Sequence, residues 1–257
     1  VTDHRAFAVD LARRAGEVIR TNFQLGTSKT WKDDGTPLTV TDLMVNEMVL
    51  KNVAEFFPDH GVIGEEASTR PNDKREWVWI CDPIDGTVPF SHGIPNFVFS
   101  LALTHHNEPV LGVVYDPMAD RMYVAEKGKG AFLNDEPVRV SSVSEFNSLV
   151  IDLEDPTADG QDLRYALRKR GALVTTLWSA VYAGSCVAGG GIAGAVCFPT
   201  HIWDAAALAI LVTEAGGKVT DLDGNPLKLV EPLPGLVVSN GDVHDALIEE
   251  LQLNLAR

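Results

Sequence analysis

The stretch WVWICDPIDGT, residues 77–87, decides the reading of this chain. Trp77 to Cys81 is an unbroken apolar run and predicts a buried strand. Asp82 and Asp85 follow at once, and then the pair Gly86-Thr87. An unpaired carboxylate is costly to bury, so something at the end of this strand is expected to balance both acids.

The same arrangement recurs twice. Glu65-Glu66 follow GVIG (61–64), and Asp204 opens the helical segment WDAAALAILVTEAGG (203–217). Each acid alone has an ordinary explanation: a helix-start acid for Asp204, a solvated loop for Glu65-Glu66, a turn for Asp82-Pro83. Together they predict a crevice at the ends of apolar elements. If Glu65, Asp82, Asp85 and Asp204 converge, they repel, and two divalent cations would remove the conflict. An all-oxygen ligand set favours a hard cation, Mg²⁺ first and Mn²⁺ second. A short helix starting at Gly86-Thr87 would offer backbone N–H groups to a phosphate, with the Thr87 hydroxyl free to hold a water. Cations, a phosphate seat and a positioned water describe hydrolysis of a phosphate ester.

The frame around these acids is α/β. Phe7, Leu11, Ala15, Val18, Ile19 and Phe23 share a helical face over 3–24. A loop at 33–37 precedes a second helix, capped by Thr39 or Thr41 and ended by Pro58. Strands are predicted at 61–64, 77–82, 97–104, 110–115, 121–125, 131–133 and 148–152. Helices near 160–170, 179–189, 204–215 and 243–254 then alternate with strands at 172–177, 192–197, 217–220 and 235–239. Residues 1–144 and 145–257 are expected to form two subdomains packed as one unit. The formal charge of −15 over 257 residues, without a basic cluster, argues against nucleic acid. No apolar stretch approaches the ~20 residues of a membrane span, and the start lacks a signal-peptide core. Three cysteines without CxxC spacing point to a reduced, cytoplasmic protein.

The segments DGTPLTVTD (34–42), GEE (64–66), DPIDGT (82–87) and WDAAALAILVTEAGG, in that order and spacing, resemble the inositol monophosphatase family of metal-dependent phosphatases. The resemblance implies an αβαβα layered sandwich, usually dimeric, and lithium-sensitive in many members. It implies that Glu65, Asp82 and the Ile84 carbonyl hold a first Mg²⁺. Asp82, Asp85 and Asp204 would hold a second, with a third near Glu65 as an option. Gly86 and Thr87 would seat the phosphate, and Thr87, supported by Asp42, would aim the water. The implied substrate is a small phosphate monoester, with Asp85, Ser179, Ala180, Cys197 and Asp204 toward its leaving group.

The chain departs from the family on that leaving-group side. Inositol-hydrolysing members carry a glutamate where Cys197 stands, and a thiol is a poor partner for a hydroxyl. Trp178 falls in a segment of small residues, and Val88-Pro89 replaces a polar pair. A sugar, polyol or amino-alcohol phosphate is therefore the expected ester, with histidinol phosphate as an alternative to inositol phosphate. Two rivals differ in kind. DLDG (221–224) has the acid spacing of phosphatases with an aspartate nucleophile. A catalytically idle metal- or partner-binding homologue is the other. His105-His106 is expected on an exposed turn, and His201 as a structural histidine.

Overall fold

The computed structural model describes residues 3–23, 28–32, 35, 37–69, 75–154, 158–198 and 200–255. Helix α1 (His4–Asn22) begins where the Asp3 carboxylate accepts the Arg5 N–H at 2.9 Å, and it buries Phe7, Leu11, Ala15 and Ile19. Next comes an antiparallel hairpin of β1 (Lys29–Trp31) and β2 (Pro37–Thr39), where only a loop is predicted. Three-residue strands are too short to show alternation, which explains the miss. Asp33, Asp34 and Thr36 of that predicted loop lie outside the described residues. Helix α2 (Val40–Phe56) starts on a reciprocal cap between Thr39 and Asp42.

A seven-stranded sheet follows. It contains β3 (Gly61–Gly64), β4 (Trp77–Asp85), β5 (Val98–His105), β6 (Glu108–Asp116), β7 (Arg121–Glu126), β8 (Gly130–Leu133) and β9 (Glu136–Val138), in sequence order, with the short helix α3 (Thr87–Ser91) after β4. Only the β3–β4 pair is parallel. A second sheet, ordered β11-β10-β12-β14-β13, is built from β10 (Val150–Glu154), β11 (Leu173–Thr175), β12 (Gly194–Cys197), β13 (Lys218–Thr220) and β14 (Leu236–Ser239). Helices α4 (Ala158–Lys169), α5 (Ala180–Ala188), α6 (Ile202–Glu214) and α7 (His244–Leu255) alternate with these strands.

Strand alternation sorts the side chains into layers. Along β4, Trp79 and Cys81 face α1 and α2, whereas Val78 and Ile80 face α5 and α6. Along β12, Ala195 and Cys197 face α5 and α6 from the other side, and Val196 faces the layer of α4 and α7. The result is an αβαβα sandwich, an α+β fold of mixed sheets, as expected from the sequence. Helix α6 lies directly on β6 because Gly112 has no side chain: a Cβ there would stand 2.6 Å from Ile210 Cγ2 and 2.9 Å from the Ala207 carbonyl oxygen. That close contact seats the middle of α6 on the seven-stranded sheet, about one turn after Asp204.

Candidate active site

Strand β4 runs three residues further than predicted, through Pro83 to Asp85. Its pairing with β5 shifts between Asp82 and Asp85. Pro83 has no N–H to donate, and an irregularity of this kind re-aims side chains at a sheet end. The Ile84 N–H turns back to Asp82 Oδ1 at 2.9 Å, and the Ile84 carbonyl accepts the Thr87 hydroxyl at 2.9 Å. Gly86 then takes φ 94°, where a Cβ would lie 2.8 Å from the Asn96 carbonyl oxygen, so glycine alone fits this turn.

Four elements deliver carboxylates to this corner. Glu65 sits past the end of β3, its N–H on the Cys81 carbonyl at 3.1 Å, and faces Asp82. Asp85 reaches the start of α5, where its Oδ2 accepts the Val181 and Tyr182 N–H groups at 3.0 and 3.2 Å and a short hydrogen bond from the Ser179 hydroxyl. Asp204 is in the first turn of α6; its Oδ2 accepts the His201 N–H at 2.8 Å and the Thr200 hydroxyl at 2.9 Å. Asp82, Asp85 and Asp204 each offer an oxygen within 4.8 Å of the others. Asp42 lies behind Thr87, with Oδ1 3.5 Å from the Thr87 hydroxyl and Oδ2 held by the Thr39 N–H at 2.8 Å.

The electrostatics follow from this crowding. Burial, then Glu65, Asp85 and Asp204, push Asp82 well above the usual carboxylate range. Burial and the Asp204 charge push Asp85 up to about 7. Asp42 is also pushed up to about 7, by burial against the opposing hydrogen bonds from Thr39. Burial raises Asp204 as well. One cation already stands in the cluster. Lys32 Nζ, next to β1, lies 2.7 Å from Glu65 and 2.6 Å from Glu66. Burial alone would depress this ammonium, yet the two carboxylates carry it above its ordinary value.

The sequence-expected acids Glu65, Asp82, Asp85 and Asp204 thus share one corner, with Asp42, Ile84, Gly86 and Thr87 around them. Ser179 is buried against Asp85, Ala180 begins α5, and Cys197 is buried in the middle layer. Trp178 is not a core residue: it is 59% exposed and has φ 60°, a conformation that favours glycine. Sequence reasoning missed Lys32, Asp152 and Glu154. The last two are acids in an otherwise apolar strand, which was a usable signal. Asp221 of DLDG accepts the Asp223 and Asn225 N–H groups at 3.0 and 2.8 Å, so it is engaged in its own turn rather than poised as a nucleophile. Glu76, His105 and His106 also bring ligand atoms within 4.8 Å of one another, but at the opposite end of β4. His106 is exposed as expected, while the half-buried His105 ring stacks on Trp77 at 4.1 Å.

A layered α+β fold whose strand and helix ends gather acids around a Gly-Thr turn is the frame that this chain shares with relatives that are phosphoric monoester hydrolases. Residues 2–256 match the model of the inositol monophosphatase family, and the chain belongs to that family. It is 33% identical over 260 residues to inositol monophosphatase 1 of Solanum lycopersicum, covering 96% of this chain and 94% of that protein. It is 32% identical over 249 residues to the fructose-1,6-bisphosphatase/inositol-1-monophosphatase of Thermotoga maritima, covering 96% and 95%. Among solved structures, a Thermotoga maritima IMPase superposes with a TM-score of 0.92 at 31% identity over 99% of both chains. Among the described residues, no helix is long and apolar enough to cross a membrane.

Proposed function

We propose that the protein is a Mg²⁺-dependent phosphatase that hydrolyses a small polyol, sugar or amino-alcohol phosphate monoester by direct attack of water. The observation that carries this reading is the convergence of Asp82, Asp85 and Asp204 oxygens within 4.8 Å, with Glu65 facing Asp82. The donor set fits hard divalent cations: it is all oxygen, and its charge lacks sufficient counter-charge from the protein. Glu65, Asp82 and the Ile84 carbonyl would hold one ion, and Asp82, Asp85 and Asp204 another. Magnesium, when bound, supplies counter-charge to the phosphate oxygens and lowers the pKa of a coordinated water.

The chain's own groups do the rest. Gly86 lets a phosphate approach the backbone closely. The Thr87 hydroxyl orients the attacking water in line with phosphorus. Asp42, 3.5 Å from that hydroxyl, is placed to receive a proton through it, and its elevated pKa suits that task near neutrality. No residue need form a covalent intermediate. A Mg²⁺-supported screen of phosphate monoesters, with chelator controls, tests the proposal; absence of chelator-sensitive turnover on every ester would refute it.

The cellular setting proposed is the cytoplasm, supported by three free cysteines. The assembly proposed is a homodimer, on the family resemblance. A division into 1–144 and 145–257 is supported by the break between the seven-stranded sheet, which ends at Val138, and the second, which starts at Val150.

Two outcomes follow from the crowding of charge. Asp42 and Asp85 have folded-state pKa values of about 7 against an ordinary 3.8, so folded metal-free protein keeps protons that the unfolded chain releases. Their contribution to stability is full below about pH 4 and is lost as pH rises through about 7. The rise in thermal midpoint on adding Mg²⁺ should therefore be small near pH 5 and large near pH 8. Differential scanning fluorimetry across pH checks this. Lys32→Met should lower the midpoint of the metal-free protein and raise its Mg²⁺ affinity by roughly tenfold, because an ion no longer competes with a resident ammonium. Isothermal titration calorimetry reads the second effect.

A further inference from the structure

Strand β10 ends on two acids that water activation does not use. Asp152 and Glu154 are two residues apart and leave the same face of the strand, opposite Ile151 and Leu153, which face α4 and α7. Asp152 is fully buried. Its Oδ1 accepts the Thr175 hydroxyl and the Leu177 N–H, each at 2.9 Å; its Oδ2 meets no N–H or hydroxyl donor among the described residues, and its carboxyl pairs with that of Glu154. Glu154 is half-buried and pairs in register with Cys197 of β12. Its Oε1 accepts the Ser179 N–H at 2.5 Å, and the hydroxyl of the same Ser179 donates to Asp85. One residue therefore joins Glu154 to the metal-site corner.

Two carboxyl groups in hydrogen-bonding contact hold one proton more readily than none. Such a pair offers an acceptor and a donor together. An alcohol hydroxyl both donates and accepts, whereas an ammonium only donates. Cys197, directly across from Glu154, adds no comparable acceptor.

Resting on the phosphatase reading above, we infer that Glu154, backed by Asp152, is the specificity-determining acceptor that grips a hydroxyl of the leaving alcohol. The subsite takes a polyol phosphate in preference to an ester whose leaving group carries no hydroxyl. It places the carboxylate on β10 rather than on β12.

The test compares wild type with Glu154→Gln and Glu154→Asp in excess Mg²⁺ on three probes: glycerol 2-phosphate, O-phosphoethanolamine and p-nitrophenyl phosphate. Both variants should lower kcat/KM on glycerol 2-phosphate at least about tenfold more than on p-nitrophenyl phosphate, chiefly through KM. The aspartate variant retains the charge and covers the case in which the glutamine variant does not fold. Equal losses on all three probes would overturn the inference and leave Glu154 as a support for Ser179. A selective loss on O-phosphoethanolamine would overturn the hydroxyl assignment in favour of an ammonium. Wild type that hydrolyses p-nitrophenyl phosphate but not glycerol 2-phosphate would also overturn it. Wild type inactive on all three would refute the phosphatase reading itself and this inference with it.

Discussion

Asp82→Asn is expected to lower kcat/KM for phosphate monoester hydrolysis at least roughly a thousandfold, a loss of about 4 kcal/mol in transition-state stabilisation. The fold should survive, and the metal-free protein should unfold at the same temperature or higher. Both effects have one cause. Asp82 is 3% exposed and is surrounded by Glu65, Asp85 and Asp204. As a carboxylate it is the member shared by both proposed cation positions. In the metal-free fold it must either carry an uncompensated charge or hold a proton that the unfolded chain releases, and either is a cost. Asparagine has nearly the same shape, still accepts the Ile84 N–H, and removes the charge. Steady-state kinetics and a thermal melt in chelator read the two signs separately. Activity within tenfold of wild type would contradict the assignment, and a large fall in the metal-free midpoint would contradict the repulsion.

Thr87→Ala is the second large effect. It should reduce kcat by about 10² or more with little change in KM, within the range a positioned proton-transfer group supplies. The hydroxyl stands at the start of α3, donating to the Ile84 carbonyl at 2.9 Å and facing Asp42 at 3.5 Å. Alanine keeps the helix and the Gly86 turn but removes the hydroxyl proposed to aim the water. Thr87→Ser restores a hydroxyl at the same position and should recover most of the rate. If serine fails to rescue, the methyl contact rather than the hydroxyl matters, and the water-orienting role is wrong.

The convergence of acids at the candidate site was legible in the sequence where local pattern and chemistry coincide. The run from Trp77 to Cys81 is apolar enough to mark a buried strand, so Asp82 and Asp85 stand out. Asp204 stands out for the same reason at the head of the long apolar helix α6. Legibility failed where tertiary contacts decide. The β1–β2 hairpin is too short to show a period, so Lys32, which it carries to Glu65 and Glu66, could not be found. The extension of β4 through Pro83 depends on the shifted pairing with β5, which no residue announces. Strand β10 begins at Val150 rather than at 148 and ends at Glu154 rather than at 152. That offset hid a carboxylate facing Ser179. Trp178 stands out in a segment of small residues, but only the structure shows that it is exposed to solvent rather than in the core.

The central claim is that Glu65, Asp82, Asp85 and Asp204 form one cage for divalent cations. Anomalous scattering from crystals grown with Mn²⁺ tests it most directly. The predicted result is two peaks that both contact Asp82, one also contacting Glu65 and the Ile84 carbonyl, the other Asp85 and Asp204, with Lys32 moved off Glu65. Absence of any peak at these four carboxylates in the presence of excess Mn²⁺, or manganese bound only at Glu76, His105 and His106, would contradict it.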